Sequence, residues 1–364
     1  MKVLIVGAGA IGAMIGGKLR RQGHEVTLVG RPSLVTGVRE RGLVLTEDGQ
    51  TTVLRDVQAV GSILEALSTG QEFELAIFTV KAYDTDAAAR ELRAALEVRA
   101  PVWAGALRVL TLQNGVGNEE TVARHVDRRR VIAGAITTPV AALAPGHVEI
   151  TRPGGAIGLS PLDATCPVDD IAQALAAAGF RVSLHDRYRD LKWTKLLMNL
   201  TANASAAILD WPPERILRDS RLAALEITAW REAMAVMRAL RVRPVRLGRY
   251  RWPLYVPLIC HLPVAILRPV VLRMGSQGRG GKMPSLHIDL HRGRERSEVG
   301  WLNGAVARYG RRMRVSTPVN QALTDILTAL VRHQVPLDVF AHRPDRLIEA
   351  VNAAQAGRAA LSIL

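Results

Sequence analysis

The chain has 364 residues, with 48 Lys and Arg against 33 Asp and Glu, a net charge of +15 and two cysteines. That length can bury one large core or two ordinary ones, and it favours two domains. Cys166 and Cys260 have no C-x-x-C or Cys/His spacing, which excludes a disulfide scaffold and a cysteine zinc site and predicts a reducing, cytoplasmic setting.

The chain opens on an apolar strand, Met1 to Val6, that runs into Gly7-Ala8-Gly9-Ala10-Ile11-Gly12. In G-x-G-x-x-G the first glycine makes a tight turn and the second lets backbone approach a pyrophosphate. The third lets the following helix pack closely on the strand. A helix from Ala13 to Gln22 and a second strand from His24 to Val29 complete the βαβ context, so the expectation is a dinucleotide site with the anion on the helix N-terminus. A site for NAD usually ends its second strand on Asp or Glu. Here the chain reads Gly30-Arg31-Pro32-Ser33, with no acid; Arg31 is either a partner for a 2′-phosphate or a solvated arginine. The preferred cofactor is therefore NADP(H).

Short strands are expected around Leu43–Leu45 and Thr52–Leu54, a buried strand over Leu75–Val80, and a helix from Asp84 to about Arg99. Arg108 to Leu112 forms another strand, which leads into Gln113-Asn114-Gly115. Val131–Ile136, His147–Thr151, Gly155–Leu159 and Val182–Leu184 finish the sheet. Strands alternating with helices predict an α/β fold, a doubly wound parallel Rossmann sheet whose binding groups gather at the carboxyl ends of the strands. Lys81 and Asn114 each follow a strand at that end, as site residues or as ordinary loop residues. From about Asp190 the pattern becomes helical throughout, over Leu191–Leu209, Arg221–Ala239, Ser297–Tyr309, Pro318–Arg332 and Arg346–Ala359. The expected domains are a Rossmann domain over 1–188 and an all-helical domain over 189–364.

Charge divides at the same point. Residues 1–188 hold 20 basic and 20 acidic residues, while 189–364 hold 28 and 13. No nucleic-acid motif accompanies the excess, so a nucleic-acid partner is not expected; an anionic cofactor and substrate suit it. Residues 246–282 form a basic, proline-rich apolar segment that includes Trp252-Pro253-Leu254-Tyr255-Val256-Pro257. It is too short and too often interrupted to span a membrane. It reads as short helical turns or a homodimer contact, as a lid over the substrate, or as a weak contact with an anionic membrane surface.

Lys195, Asn199 and Asn203 stand at i, i+4 and i+8 among Leu196, Leu197, Met198, Leu200 and Ala202. A helix this apolar is buried, so its polar stripe needs partners inside the protein. The stripe suits a polar substrate, with a lysine to give a proton and amides to hold oxygens, or else an internal network. Ser285 and Asp289 could close such a pocket, and Asp289 is equally a structural group. Glu298, after Ser297, is a site acid or a first-turn acid favoured by the helix dipole. The nine histidines show no metal-ligand spacing. His287 and His291, at i and i+4, lack a third partner in sequence and read as structural, so no metal is expected.

Together these residues resemble the ketopantoate reductase (2-dehydropantoate 2-reductase) family over nearly the whole chain. The resemblance rests on Gly7 to Gly12, Arg31, Val80-Lys81-Ala82, Gln113-Asn114-Gly115-Val116-Gly117, and Lys195 with Asn199 and Asn203. It continues through Pro284-Ser285-Leu286 with Asp289, then Glu298 and Leu302-Asn303-Gly304. It implies a Rossmann domain, an all-helical second domain, an active-site cleft between them, and NADPH-dependent reduction of a 2-oxo acid to a 2-hydroxy acid. By the same resemblance Lys195 is the general acid, and Asn114, Asn199, Asn203 and Ser285 bind substrate. Lys81, Asn114 and Glu298 lie at the cofactor, Glu298 also near the lysine. The chain departs from the family pattern in three places. Asp210-Trp211-Pro212-Pro213 replaces an Asn-Gly-type turn, one extra residue separates Ser285 from Glu298, and Gly300 stands where an acid is common. These departures touch substrate recognition. They leave open a bulkier or more apolar 2-oxo acid, and beyond that a non-catalytic NADPH-binding sensor or membrane-associated regulator.

Overall fold

The structure is a computed structural model that describes residues 1–68, 70–99, 106–152, 154–279 and 283–363. The chain folds into two compact units. One comprises Met1–Gln113, Gly117–Lys192 and Leu247–Tyr250; the other comprises Asn114–Val116, Trp193–Arg246 and Arg251–Leu364.

Among the described residues, the strands of the first unit's two larger sheets are numbered in chain order. They are β1 (Lys2–Val6), β2 (Glu25–Val29), β3 (Leu43–Glu47), β4 (Gln50–Leu54), β5 (Gln58–Val60), β6 (Leu75–Phe78), β7 (Arg108–Thr111), β8 (Val131–Ile136), β9 (Val140–Ala144), β10 (His147–Ile150), β11 (Ala156–Pro161) and β12 (Arg181–Leu184). Eight of them form one sheet in the order β12-β11-β8-β7-β6-β1-β2-β5, parallel except where β11 meets β8. Its helices are α1 (Ala10–Arg21), α2 (Pro32–Arg41), α3 (Ile63–Ser68), α4 (Thr85–Arg99), α5 (Asn118–Val122) and α6 (Asp169–Ala177). The strand β1 is apolar without alternation because both faces are covered. Val3 and Ile5 enter one core cluster with Met14 and Ile15 of α1, and Leu4 and Val6 enter another with Ala89 and Leu92 of α4.

The expected doubly wound sheet is present, with one correction. His147–Ile150 does not join it, but pairs with β3 and β9 in a separate four-stranded sheet, β4-β3-β10-β9. Val148 and Ile150 bury toward α1 in this arrangement, beside Leu43 and Leu45. The reading of the sequence also missed α2, α3, α5, α6, β5 and β9, which are short or begin in polar stretches.

The helix α7 (Tyr188–Leu200) starts in the first unit and ends in the second. The second unit continues with α8 (Asn203–Leu209), α9 (Pro213–Arg218), α10 (Ser220–Ala239), α11 (Trp252–His261), α12 (Val264–Arg279), α13 (Ser285–His291), α14 (Asn303–Met313), α15 (Pro318–Val331) and α16 (Pro344–Gln355). Its longest helix, α10, ties several others together. Trp230 donates its indole N–H to the Leu197 carbonyl at 3.0 Å and meets Trp252 edge-on at 5.7 Å. Two residues on, Glu232 accepts the N–H groups of Val319 and Asn320 and the Asn320 side chain, at 2.9, 2.9 and 2.7 Å. These are first-turn donors of α15 that no carbonyl of that helix can take. Burial pushes the Glu232 carboxyl above its ordinary value, against those three bonds.

A single helix over Leu191–Leu209 was expected, and the structure corrects it. The helix stops at Leu200, Ala202 takes the left-handed conformation (φ 45°, ψ 31°), and α8 starts afresh at Asn203. A left-handed alanine is unfavourable. Here the buried Glu226 carboxylate of α10 receives the Ala202 N–H at 2.7 Å and also bonds the Ser205 hydroxyl. Arg231 of α10 donates to the carbonyls of Ile259 and Leu262 in the basic segment, at 2.9 and 2.5 Å, which fixes the end of α11. Residues 280–282 of that segment lie outside the described residues. Among the described residues no helix is long and apolar enough to cross a membrane.

Candidate active site

The glycine turn has the geometry of a phosphate cradle. Gly7 sits at φ +92°, and a Cβ there would lie 2.6 Å from the Val80 nitrogen. Gly12 faces β1 and β6 closely, since an added Cβ would meet Thr79 Oγ1 at 2.5 Å and Ile5 at 2.8 Å. At Gly9, the N-cap of α1, the same Cβ would find nothing nearer than the Gly7 carbonyl at 4.0 Å, so that side of the turn is open. Bonds from Gly7 and Ala8 N–H to the Val29 carbonyl (3.1 and 2.9 Å), and from Thr79 Oγ1 to the Gly7 carbonyl (2.8 Å), hold the turn in shape. The first turn of α1 carries no acid, which leaves its positive end available to an anion. Ala8 is buried, whereas Ala10 and Ile11 are half-buried.

Around this turn stand the other cofactor candidates of the first unit. The turn lies between β2 and β6, the two neighbours of β1, which is the switch point where doubly wound sheets bind ligands. Arg31 follows β2 directly, is exposed, and caps α2 ahead of Pro32. Lys81 follows β6 and is half-buried at the start of the single turn Ala82–Asp84. A nicotinamide dinucleotide with a 2′-phosphate fits this set: an open glycine face, an acid-free helix end, and a guanidinium where an acid would repel the phosphate.

In the second unit the polar stripe is knitted together. Asn199 donates its side-chain N–H to Asn114 Oδ1 at 3.2 Å. The Asn203 amide donates to the Asn199 carbonyl at 3.0 Å and accepts the Leu286 N–H at 3.2 Å. Ser285 is the first residue of α13, so Asn203 holds the backbone beside it. Asn203 is buried, and Lys195, Asn199, Asn114 and Ser285 are half-buried. Lys195 lies one turn before Asn199 on α7. The break at Ala202 means that Asn203 opens the next helix rather than continuing the same face, yet the hydrogen bonds still carry the stripe from Asn114 to α13.

Glu298 lies buried at the head of a 3₁₀ turn, Glu298–Trp301, where Ser297 Oγ accepts the Val299 N–H. The expected helix from Ser297 is therefore two elements, parted at Leu302 (φ −104°, ψ −102°). The turn packs against Asn114-Gly115-Val116. Val116 N–H bonds the Trp301 carbonyl at 3.2 Å, and a Cβ on Gly115 (φ +85°) would strike that oxygen at 2.6 Å. A glycine at 115 thus lets the Asn114 loop lie on the Glu298 turn. Asp289 is buried and paired with Arg294 at 3.1 Å, the structural alternative for that residue.

Two groupings escaped the reading of the sequence. The first is a buried cation in the first unit: Lys192 Nζ lies 2.9 Å from Glu119 Oε1 and donates to the carbonyls of Gln113 (2.8 Å) and Gly134 (3.1 Å). Gln113 Nε2 also donates to Thr85 Oγ1 at 2.6 Å. Gln113 immediately precedes Asn114, so these bonds fix the strand end from which the Asn114 loop leaves. The second concerns His287 and His291, which do have a third partner. Asp210 Oδ1 lies 2.6 Å from His287 Nε2 and 3.4 Å from His291 Nε2. The spacing of 77 residues hid it. Burial would raise the Asp210 carboxyl, but the His287 hydrogen bond and the nearby imidazoles hold it below the ordinary carboxylate range. A surface cavity of about 860 Å³ lies elsewhere in the first unit, by Arg108, Cys166 and Asp170. In its lining Arg108 is clamped to Asp170 at 2.7 and 2.6 Å.

Residues 3–164 match the sequence profile described as ketopantoate reductase PanE/ApbA, and residues 187–331 match the profile of its C-terminal part. The chain belongs to the ketopantoate reductase family. This is an oxidoreductase family that uses NADPH. A 2-dehydropantoate 2-reductase of Pyrococcus horikoshii is 29% identical over 90% of this chain and 97% of its own length. Among solved structures, a PanE/ApbA family ketopantoate reductase from Ralstonia eutropha JMP134 is 30% identical with a TM-score of 0.75, covering 92% of this chain and 99% of that one. A D-mandelate dehydrogenase with NADH and anilino(oxo)acetate shares the fold, at TM-score 0.77 and 23% identity over 93% of this chain and 100% of that one. The two ketopantoate reductase segments contain all the candidate residues, from Gly7 to Gly12, Arg31, Lys81 and Asn114 to Lys195, Asn199, Asn203, Ser285 and Glu298.

Proposed function

We propose that this protein reduces a 2-oxo acid to the 2-hydroxy acid with NADPH, with ketopantoate as substrate and pantoate as product. The observation that carries the reading is the continuous hydrogen-bonded stripe from Asn114 through Asn199 and Asn203 to the backbone beside Ser285, with Lys195 one turn away. Such a set can hold a carboxylate and a carbonyl in one orientation while a single cation faces the oxygen. NADPH, when bound, would supply the hydride that the carbonyl carbon gains. Lys195 gives the proton that the carbonyl oxygen gains, so that product forms as a neutral alcohol. Asn114, Asn199, Asn203 and Ser285 orient the substrate. Gly7 to Gly12, Arg31 and Lys81 bind the cofactor, and Glu298 positions it and the lysine. The test is NADPH oxidation with ketopantoate beside a panel of straight-chain, branched and aromatic 2-oxo acids.

One observation favours a second substrate reading within the same chemistry. Trp211 fills the turn after α8, buried, with the Arg215 guanidinium 3.8 Å from its ring centre. This apolar wall, in place of an amide, suits a bulkier acid such as the aromatic 2-oxo acids. Turnover of an aromatic member of the panel well above ketopantoate would select this alternative.

Cofactor choice has its own expected result. Arg31→Ala should raise KM for NADPH about tenfold, the equivalent of roughly 1.4 kcal/mol from one lost charge-assisted contact, and leave KM for NADH nearly unchanged. Equal changes for both cofactors would remove Arg31 from the 2′-phosphate.

The basic segment remains a proposed contact surface, for a second copy or for anionic lipid. Leu254, Leu258 and Ile266 are 59%, 49% and 57% exposed on α11 and α12. A membrane role predicts co-sedimentation with anionic vesicles that weakens as salt rises. Absence of binding at low salt would end it.

A further inference from the structure

We propose that Asp210, His287 and His291 form a zinc-type divalent metal site at the end of α8. Each offers one ligand atom, and the three atoms lie within 4.8 Å of one another. Zinc bonds of about 2.0–2.2 Å in a tetrahedron set ligand atoms roughly 3.3 Å apart. The carboxylate oxygen is 3.4 Å from His291 Nε2, at that spacing already, and 2.6 Å from His287 Nε2, an edge that an ion replacing the shared proton would have to open. The two imidazoles stand at i and i+4 on α13, stacked with centroids 4.0 Å apart, and both present Nε2 to the same oxygen. Two imidazoles with one carboxylate leave a fourth position for water, a donor set that suits zinc and its transition-metal neighbours and not calcium or magnesium.

The carboxylate is held in place by its own backbone. Asp210 ends α8 in the left-handed conformation (φ 51°, ψ 43°), at the negative end of that helix. The His342 N–H bonds the Leu209 carbonyl at 2.9 Å, and His342 Nε2 lies 3.7 Å from Asp210 Oδ2. The site does not depend on the proposed reaction. It lies close to it, since His287 is two residues beyond Ser285.

Untagged full-length protein, stripped with chelator and titrated with zinc alone, should bind one equivalent by calorimetry and retain it through desalting by elemental analysis. His291→Asn and Asp210→Asn should each weaken binding by about tenfold or more, with far-ultraviolet circular dichroism unchanged. Cobalt in the same site should give the intense visible bands of four-coordinate Co²⁺ in the parent and lose them in both variants. Substoichiometric zinc, or affinity unmoved by His291→Asn in folded protein, would overturn the site and leave a hydrogen-bonded helix end.

Discussion

Lys195→Ala should lower kcat for the 2-oxo acid by about 10²–10⁴, the usual loss when a positioned general acid is removed. In free energy that is about 3–5 kcal/mol of transition-state stabilisation. Hydride arrival leaves negative charge on the carbonyl oxygen, and without the lysine the proposed set has only neutral side chains, Asn114, Asn199, Asn203 and Ser285, to offer it. NADPH binding should hold within about twofold, because the loss falls on the chemical step. Lys195→Arg should rescue little: the guanidinium keeps the charge but parts with a proton far less readily. A variant that kept more than about a tenth of parent kcat would move the acid role elsewhere.

The second large effect is on stability. Lys192 and Glu119 are 2% and 1% exposed, and Lys192 has three acceptors within 3.1 Å. Glu119 Oε1 also receives the Thr111 hydroxyl at 2.7 Å. Lys192→Met removes the cation and leaves a carboxylate buried without its counter-charge, at a cost of about 3–5 kcal/mol. The apparent melting midpoint should fall by roughly 10 °C for a unit of this size. Adding Glu119→Leu should recover most of the loss, because an apolar pair avoids the stranded charge. A single variant melting with the parent, or a double variant no better than the single, would contradict this account. Because Lys192 holds the Gln113 carbonyl, a folded Lys192→Met protein should also lose substrate affinity through a looser Asn114.

What could be read in the sequence was what local pattern encodes. The glycine turn was legible because β1, Gly7, Gly9 and Gly12 are consecutive and each solves a local steric problem. The helical second unit was legible from apolar spacing, and α10 and α15 lie within a residue of expectation. Ala202 was not legible. Alanine is the best helix former, and its left-handed turn depends on Glu226, 24 residues away. The same limit explains the misplaced strand β10, whose alternation fits either sheet and whose partner β3 lies about a hundred residues earlier. Nothing local marks Lys192, whose partner Glu119 is 73 positions earlier, and Asp210 read only as part of a turn until α13 brought two imidazoles to it. The family resemblance supplied the order of the site residues; the structure supplied the bonds that join Asn114, Asn199 and Asn203.

The most direct test of the central claim follows the hydride itself. NADPH carrying deuterium at the transferred position of the nicotinamide is incubated with the protein and ketopantoate, and the product is examined by proton NMR. The account predicts pantoate with deuterium bonded to carbon 2, formed at one equivalent per NADP⁺ and at least about a hundredfold more slowly by Lys195→Ala. NADPH that stays unoxidised with ketopantoate and with every other 2-oxo acid offered would contradict it.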